Sequence, residues 1–216
     1  MKKILKSLFG KIKEAGIFSF DIILNVIILF AIVFLIREFL IAPFQVSGPS
    51  MCDTMNYYNG ECQDGYGEYI ILNKLTYFFN DPQRYDIVVF RPPNHKDVFY
   101  IKRIIGMPGD EIEFKDDGYV YLNGEKMDEP YLNEDNLGKT ESKWLHRVKI
   151  HEGEYLVLGD NRNQSTDSRT CFTNNIYGCT KEGNTEFLTK KDIEGKAWIV
   201  LWPFSQARII DHPPSS

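Results

Sequence analysis

The sequence predicts a mainly β protein, with an N-terminal transmembrane helix followed by an all-β domain, a sandwich or partly closed barrel. Three observations carry that expectation. The apolar run at residues 17–42 is long enough to cross a bilayer, which takes about 20 residues. Beyond it, apolar residues fall into short alternating segments bounded by Gly, Pro, Asn or Asp. No stretch after residue 43 has a helical repeat of comparable length.

The elements follow in chain order. Residues 1–16 hold Lys2, Lys3, Lys6, Lys11 and Lys13 and read as a cytoplasmic basic tail. Residues 17–42 are the expected anchor, and the most apolar part of it, residues 22–36, is interrupted only by Asn25. Basic residues before this run and almost none just after it place the N-terminus in the cytoplasm and the remainder outside, the topology of a single-pass membrane protein. A cleavable signal peptide shares the opening pattern, but the run is long and no small-x-small site follows it closely, so an anchor is favoured. A buried soluble helix would need a polar stripe, which Asp21, Asn25 and Glu38 do not make.

Residues 43–216 are the expected extracytoplasmic domain. "EYIILNKL", "RYDIVVF", "VFYIKRIIG", "YVYLN", "EYLVLGD" and "KAWIVLW" are rich in β-branched and aromatic residues and read as its strands. Asp117-Gly118 and Asn123-Gly124 bracket one short strand, so this part reads as successive hairpins within a smaller inserted β lobe at about 111–153. Residues 129–145 and 181–192 are polar and weakly patterned and read as surface excursions; a Cys-flanked loop is expected at about 170–191. The formal net charge of -5 divides into +3 over residues 1–42 and -8 over the rest. An acidic main domain argues against nucleic acid as a partner.

The four cysteines fall into two pairs by sequence, Cys52 with Cys62 and Cys171 with Cys179. Neither is a C-x-x-C pair, so zinc and thioredoxin-like chemistry are poorly supported, and no metal or cofactor is expected. Outside the membrane disulfides are permitted. "CFTNNIYGC" reads as a loop clamped at its neck, whereas for Cys52 and Cys62 a bridge and free buried thiols stand level.

Candidate chemistry begins with "VFYIKRIIG". Side chains alternate along a strand, so Lys102 shares a face with Val98, Tyr100 and Ile104, and Arg103 shares the other with Phe99, Ile101 and Ile105. A buried lysine loses hydration, and its pKa falls from about 10.4 toward the range of a general base. The competing reading has Lys102 at an edge or snorkelling to water beside Tyr100. Such a base needs a nucleophile. "VSGPSMCD" puts Ser50 in a Gly-Pro turn that exposes backbone amides, and "LGDNRNQSTDSR" gathers Ser165, Asp167, Ser168 and Arg169 directly after an apolar strand. Other patterns fail on spacing. Cys52 stands where a nucleophile elbow needs Gly, His151 does not open an H-E-x-x-H motif, and the run from Asp160 does not fit a calcium loop. His95, His146, His151 and His212 lie in polar loops or at strand edges and read as surface residues.

"PSM" after an anchor, "RYDIVVF", "YIKRIIGMPGD" and "LGDNRNQSTDSR" resemble, in order and spacing, the type I signal peptidases, membrane-anchored serine proteases that remove leader sequences from exported proteins. The resemblance covers residues 43–169 and "GKAWIVLWPF" near the end. It implies an antiparallel β-sheet catalytic domain whose apolar surface rests on the lipid bilayer. It implies a Ser/Lys dyad in which Ser50 is the nucleophile, Lys102 the general base, Ser165 the hydroxyl that orients the lysine, and Asp167 with Arg169 a supporting ion pair. The implied substrates are signal peptides of exported preproteins with small residues at -1 and -3, held by Gln45, Val46, Met51, Tyr100 and Ile101. Where some members have a helpful serine, Gly48 stands, which leaves backbone amides of Gly48 and Ser50 for the oxyanion hole. "SMCDTM" and the Cys-flanked insertions depart from the family pattern. Rival readings are a self-cleaving Ser/Lys hydrolase, which lacks a visible DNA-binding domain here, a tethered binding module without chemistry, and an inactive relative.

Overall fold

The computed structural model describes residues 2–52, 54–58, 60–174, 178–180, 182–210 and 213, with side chains from residue 18 onward. The chain divides into two compact units, Met1–Ile41 and Ala42–Ser216.

The first unit is a helix, α1 (Lys2–Leu35), which loosens into a π-helical stretch at Ile36–Leu40. Its segment Phe18–Leu40 has 23 residues, a mean hydropathy of 2.7, and no buried side chains. At about 1.5 Å rise per residue it reaches roughly 35 Å, enough for a hydrocarbon core of about 30 Å. Ile41 and Ala42, grouped with the anchor by hydropathy, are already strand.

The second unit is built from β1 (Ile41–Ser47), β2 (Tyr57–Tyr58), β3 (Glu61–Cys62), β4 (Tyr66–Asn73), a single turn α2 (Thr76–Phe79), β5 (Ile87–Phe90), β6 (Tyr100–Gly106), β7 (Glu111–Phe114), β8 (Val120–Leu122), β9 (Glu125–Lys126), β10 (Arg147–Lys149), β11 (Glu154–Leu158), β12 (Leu188–Thr189), β13 (Ile193–Trp202) and β14 (Arg208–Ile209). The main sheet runs β1-β4-β13-β5-β6-β11-β12, with β14 added to β13; β10-β7-β8-β9 form a second sheet, and β2 and β3 a hairpin. Strand β13 pairs antiparallel with β4, β5 and β14, and its register slips at three places. Such bulges bend a strand and raise its twist, so the sheet curls instead of lying flat.

Strand β6 meets all three apolar clusters of this unit. Ile101 packs with Val46, Met51, Ile70 and Val89; Ile104 with Val88, Phe90, Val157 and Leu188; and Ile105 with Ile112, Val120 and Leu156 beneath the second sheet. Its polar residues are therefore enclosed as well, Lys102 at 4% exposure and Arg103 at 0%.

Two surface readings are corrected. Within residues 129–145, Glu129, Asn136 and Thr140 are buried, and within 181–192 Leu188 and Asp192 are buried. The polar groups of the first stretch face a buried arginine, so a hydrophilic composition there marks a satisfied interior. Both cysteine pairs, Cys52–Cys62 and Cys171–Cys179, are disulfide-bonded. His95, His146 and His151 are exposed, while His212 lies outside the described residues.

Candidate active site

Lys102 sits opposite Val88 of β5, while β11 joins the other edge of β6 only from Arg103 onward. The segment from Tyr100 to Lys102 thus has one edge free of strand pairing. Lys102 Nζ donates to Ser50 Oγ at 2.7 Å and to the Ile101 carbonyl at 2.7 Å. Burial pushes its pKa down to about 8; the carboxylates of Asp167 and Asp160 pull it up, and Arg169 pushes it down. Both acceptors of the amine are uncharged, so nothing in hydrogen-bond contact holds the proton on.

Ser50 follows β1 in a turn that starts at Gly48, whose φ of +81° suits a residue without Cβ. The turn is fixed from two sides: Asn56 Nδ2 donates to the Gly48 carbonyl at 3.1 Å, and the Asn161 N–H to the Ser50 carbonyl at 3.1 Å. Behind Ser50 passes Gly159, at the exit of β11. A Cβ on Gly159 would lie 2.2 Å from Ser165 Oγ and 2.5 Å from the Ser50 carbonyl oxygen, so only glycine lets the chain pass here.

The polar run after β11 is held by three buried ion pairs. Arg103 donates to Asp160 through Nε at 2.9 Å and Nη2 at 2.7 Å, and to the Tyr85 carbonyl at 3.1 Å, with its guanidinium 4.0 Å from the centre of the Tyr131 ring. Thr54 Oγ1 donates to the same Asp160 at 2.5 Å. Arg162 donates to Glu129 at 2.5 and 3.2 Å and to the Gly159 carbonyl at 3.0 Å. Arg169 donates to Asp167 through Nε at 3.0 Å and Nη2 at 2.8 Å, and the Gly159 N–H donates to Asp167 at 3.0 Å. Burial pushes the Asp167 carboxyl up, yet Arg169 outweighs it and holds the group below the usual carboxylate range. Ser168 is a structural residue: its hydroxyl accepts from the Val157 N–H and donates to the Glu186 carbonyl.

A cleft of about 410 Å³ opens in front of Ser50 and Lys102. Gln45 and Val46 of β1 and Tyr100 and Ile101 of β6 line it, over a floor of Ile70 and Val89. Phe44 and Phe99 also line it, their rings perpendicular at 4.8 Å.

The structure brings Ser50, Lys102, Ser165, Asp167 and Arg169 into one neighbourhood and alters three expectations. The buried hydroxyl of Ser165 lies beside Asp167, where it favours the ionised carboxylate, and the expected bond to Lys102 is not made. The Gly48 N–H is already donated to the Gly65 carbonyl at 3.0 Å, which removes it from the oxyanion hole; the Ser50 N–H makes no bond to any described backbone group. Met51 is not among the residues that line the cleft; it is 1% exposed and packs in the core with Val46 and Ile70.

Sequence reasoning missed Asp160, Gly159, Phe44, Phe99, Gln164 and Thr166. A signal existed for two of them. A second cation on a strand buried on both faces demands a carboxylate partner, and a glycine directly between an apolar strand and a polar run marks a close approach as well as a turn.

Comparison with known proteins identifies the family. The family model described as signal peptidase, peptidase S26, matches residues 19–202. Signal peptidase I of Bacillus licheniformis is 34% identical over 197 residues, covering 89% of this chain and 93% of its own length. Signal peptidase I S of Bacillus subtilis (strain 168) is 35% identical over 189 residues, covering 85% and 89%. Among solved structures, a crystal structure of a signal peptidase I from Enterococcus faecalis V583 aligns with a TM-score of 0.40 and 30% identity, covering 56% of this chain and 97% of that one. The class is therefore that of the serine endopeptidases. Within it, the chain belongs to the signal peptidase S26 family. These bacterial relatives and one apolar N-terminal helix fit a membrane-anchored protein.

Proposed function

We propose that the chain removes signal peptides from exported preproteins through a dyad of Ser50 and Lys102. The observation that carries this reading is the 2.7 Å contact between Ser50 Oγ and an amine enclosed in the strand core, with its pKa drawn down to about 8. Neutral Lys102 takes the Ser50 proton as the hydroxyl attacks the scissile carbonyl. The oxyanion is stabilised by the Ser50 N–H. Lys102 then hands its proton to the leaving amine, and water, activated by the same base, hydrolyses the acyl-enzyme. Asp167 and Arg169 act as positioning residues: they fix the loop that carries Ser165 and packs Gly159 against Ser50.

Two sheet edges favour an extended substrate. Strand β1 ends the main sheet, and Tyr100–Lys102 lacks a neighbour on one side, so a peptide entering the cleft between them can add backbone hydrogen bonds to either. Gln45, Val46, Tyr100 and Ile101 then meet its side chains, and the filled floor of Ile70 and Val89 favours small residues at -1 and -3. Residues 1–16 form a cytoplasmic tail, 17–42 the single-pass anchor in the lipid bilayer of the bacterial inner membrane, and 43–216 the extracytoplasmic catalytic domain with lobes near 111–153 and 170–191. The anchor keeps enzyme and preprotein at one membrane surface and raises their effective concentration.

The test incubates the detergent-solubilised chain with an exported preprotein and reads the new N-terminus by mass spectrometry. The expected result is a single cut after a small residue that disappears in Ser50→Ala. Equal cleavage by that variant overturns the dyad.

A further inference from the structure

A second cavity, of about 440 Å³, lies next to the cleft and contains no basic side chain among its described lining. Glu61, Asp64 and Asp135 stand around it, and none of the three carboxylates forms an ion pair or a side-chain hydrogen bond with a described residue. Three links tie this cavity to Ser50. Gln164 lines both it and the catalytic cleft. Asn161, another of its residues, holds the Ser50 carbonyl by a backbone hydrogen bond. Cys62 also lines it and is bridged to Cys52, two residues beyond Ser50.

We infer that this cavity is the subsite for the first residues of the mature protein, and that it selects a basic side chain there. The assignment rests on Ser50 as nucleophile. A peptide whose leader portion lies along β1 and Tyr100–Lys102 fills the first cleft up to Ser50, so the portion beyond the cut leaves past Gln164. What it meets is a set of carboxylates with no ion-pair partner among the described residues, set among asparagine amides, which attracts lysine or arginine and repels acidic residues. The β2–β3 hairpin, which carries Glu61, is held by the Cys52–Cys62 bridge, so the insertion that departs from the family pattern builds one wall of the subsite. In this role the insertion brings two carboxylates, those of Glu61 and Asp64, within reach of the departing segment.

The experiment uses the full chain with matched preprotein peptides carrying Lys, Ala or Glu at each of the first few mature positions. At low salt, kcat/KM for the best-placed Lys substrate is expected to exceed that of its Glu counterpart about three- to tenfold, the range that a few exposed charge pairs supply. The ratio should shrink at high salt. In the combined variant Glu61→Gln, Asp64→Asn, Asp135→Asn it should fall toward one. Ratios within one enzyme are insensitive to the overall level of activity, and the salt series in the unmodified chain stands in if the variant does not fold. A ratio near one in the unmodified chain, or one that persists in the variant, overturns the inference. Binding of mature-side peptides to Ser50→Ala by fluorescence anisotropy separates the two claims. Charge-selective binding without any cleavage by the unmodified chain sinks the dyad and with it the mature-side assignment, leaving only a cation-selective cavity; cleavage without charge selection sinks the subsite alone.

Discussion

Lys102 and Arg103 are neighbours on one strand, enclosed to the same degree, and they meet opposite fates. Arg103 receives a two-point contact from Asp160, a carbonyl from Tyr85 and the face of Tyr131. Lys102 receives a hydroxyl and a carbonyl, both neutral, and the carboxylates of Asp160 and Asp167 reach it only through space. Desolvation is the largest influence on each group, yet the contact carboxylate reverses it for the arginine and nothing reverses it for the lysine. One strand therefore carries a cation that fastens the loop behind the site and an amine that gives up its proton near neutrality. Burial alone makes neither a structural cation nor a base; the identity of the atoms in contact decides.

The sharpest way to break that contrast is at Lys102. Lys102→Arg should reduce preprotein cleavage by about ten-thousandfold or more, because a guanidinium stays protonated and only binding and the oxyanion donor remain to act. Lys102→Met should be equally inactive and yet more resistant to heat at pH 7. The folded pKa of about 8 lies below the ordinary lysine value, so the protonated amine penalises the folded state below pH 8, and the penalty fades as the pH rises toward the unfolded value. Its size is on the order of 3 kcal/mol. Thermal unfolding of the Met variant at pH 6 and pH 10 checks this: a gain at pH 6 that does not shrink at pH 10 contradicts the account.

On the Arg103 side the corresponding loss is in stability. Asp160→Ala leaves a guanidinium buried and unpaired, which costs about 3–5 kcal/mol. A paired replacement, Arg103→Met with Asp160→Leu, should recover much of it, since well-packed apolar residues often match a buried ion pair. Urea titrations of the three proteins measure both effects. No recovery in the double variant would show that Asp160 serves chiefly through Thr54 and the Lys102 field.

The next effect tests how closely the two sides are coupled. Gly159→Ala forces a Cβ against the Ser50 carbonyl oxygen and Ser165, so Ser50 must shift by a fraction of an ångström. A hundredfold fall in kcat/KM, about the cost of a small misplacement of a reacting group, is expected alongside a stability loss of roughly 1–3 kcal/mol. Unchanged kcat/KM would mean that Ser50 is positioned by its own turn alone.

Much of this arrangement was legible in the residues. Alternation marked β4, β5, β6, β11 and β13 of the main sheet, though not β1, β12 or β14, and the oddity of Lys102 followed from the same periodicity. The pair Asp167–Arg169 was expected from the resemblance, but the two long-range pairs were not legible, because Arg103 and Asp160 lie 57 positions apart and Glu129 and Arg162 33, and polar composition there reads as solvent exposure. The Gly48 amide was misassigned for a related reason: its partner, the Gly65 carbonyl, is supplied by a turn whose approach no local pattern announces. Met51 shows the limit of motif transfer. Its place beside the nucleophile suggested substrate contact, whereas an apolar side chain next to a surface turn lowers the free energy more by entering the core.

The smallest expected effect asks whether distant carboxylates tune the lysine in the direction the comparison requires. In the proposed dyad neutral Lys102 is the active form, so log kcat/KM should rise with unit slope at low pH and level off above about 8. Asp167 raises the Lys102 pKa through space, so Asp167→Asn should move the midpoint downward, by about half a pH unit at low ionic strength. The same substitution weakens the Arg169 contact and the Gly159 N–H bond, and that structural damage lowers the plateau without displacing the midpoint. The two readouts therefore separate positioning from tuning. An upward displacement would mean that loosening the loop lets water reach the amine, and hydration of Lys102 would then outweigh the loss of a neighbouring negative charge.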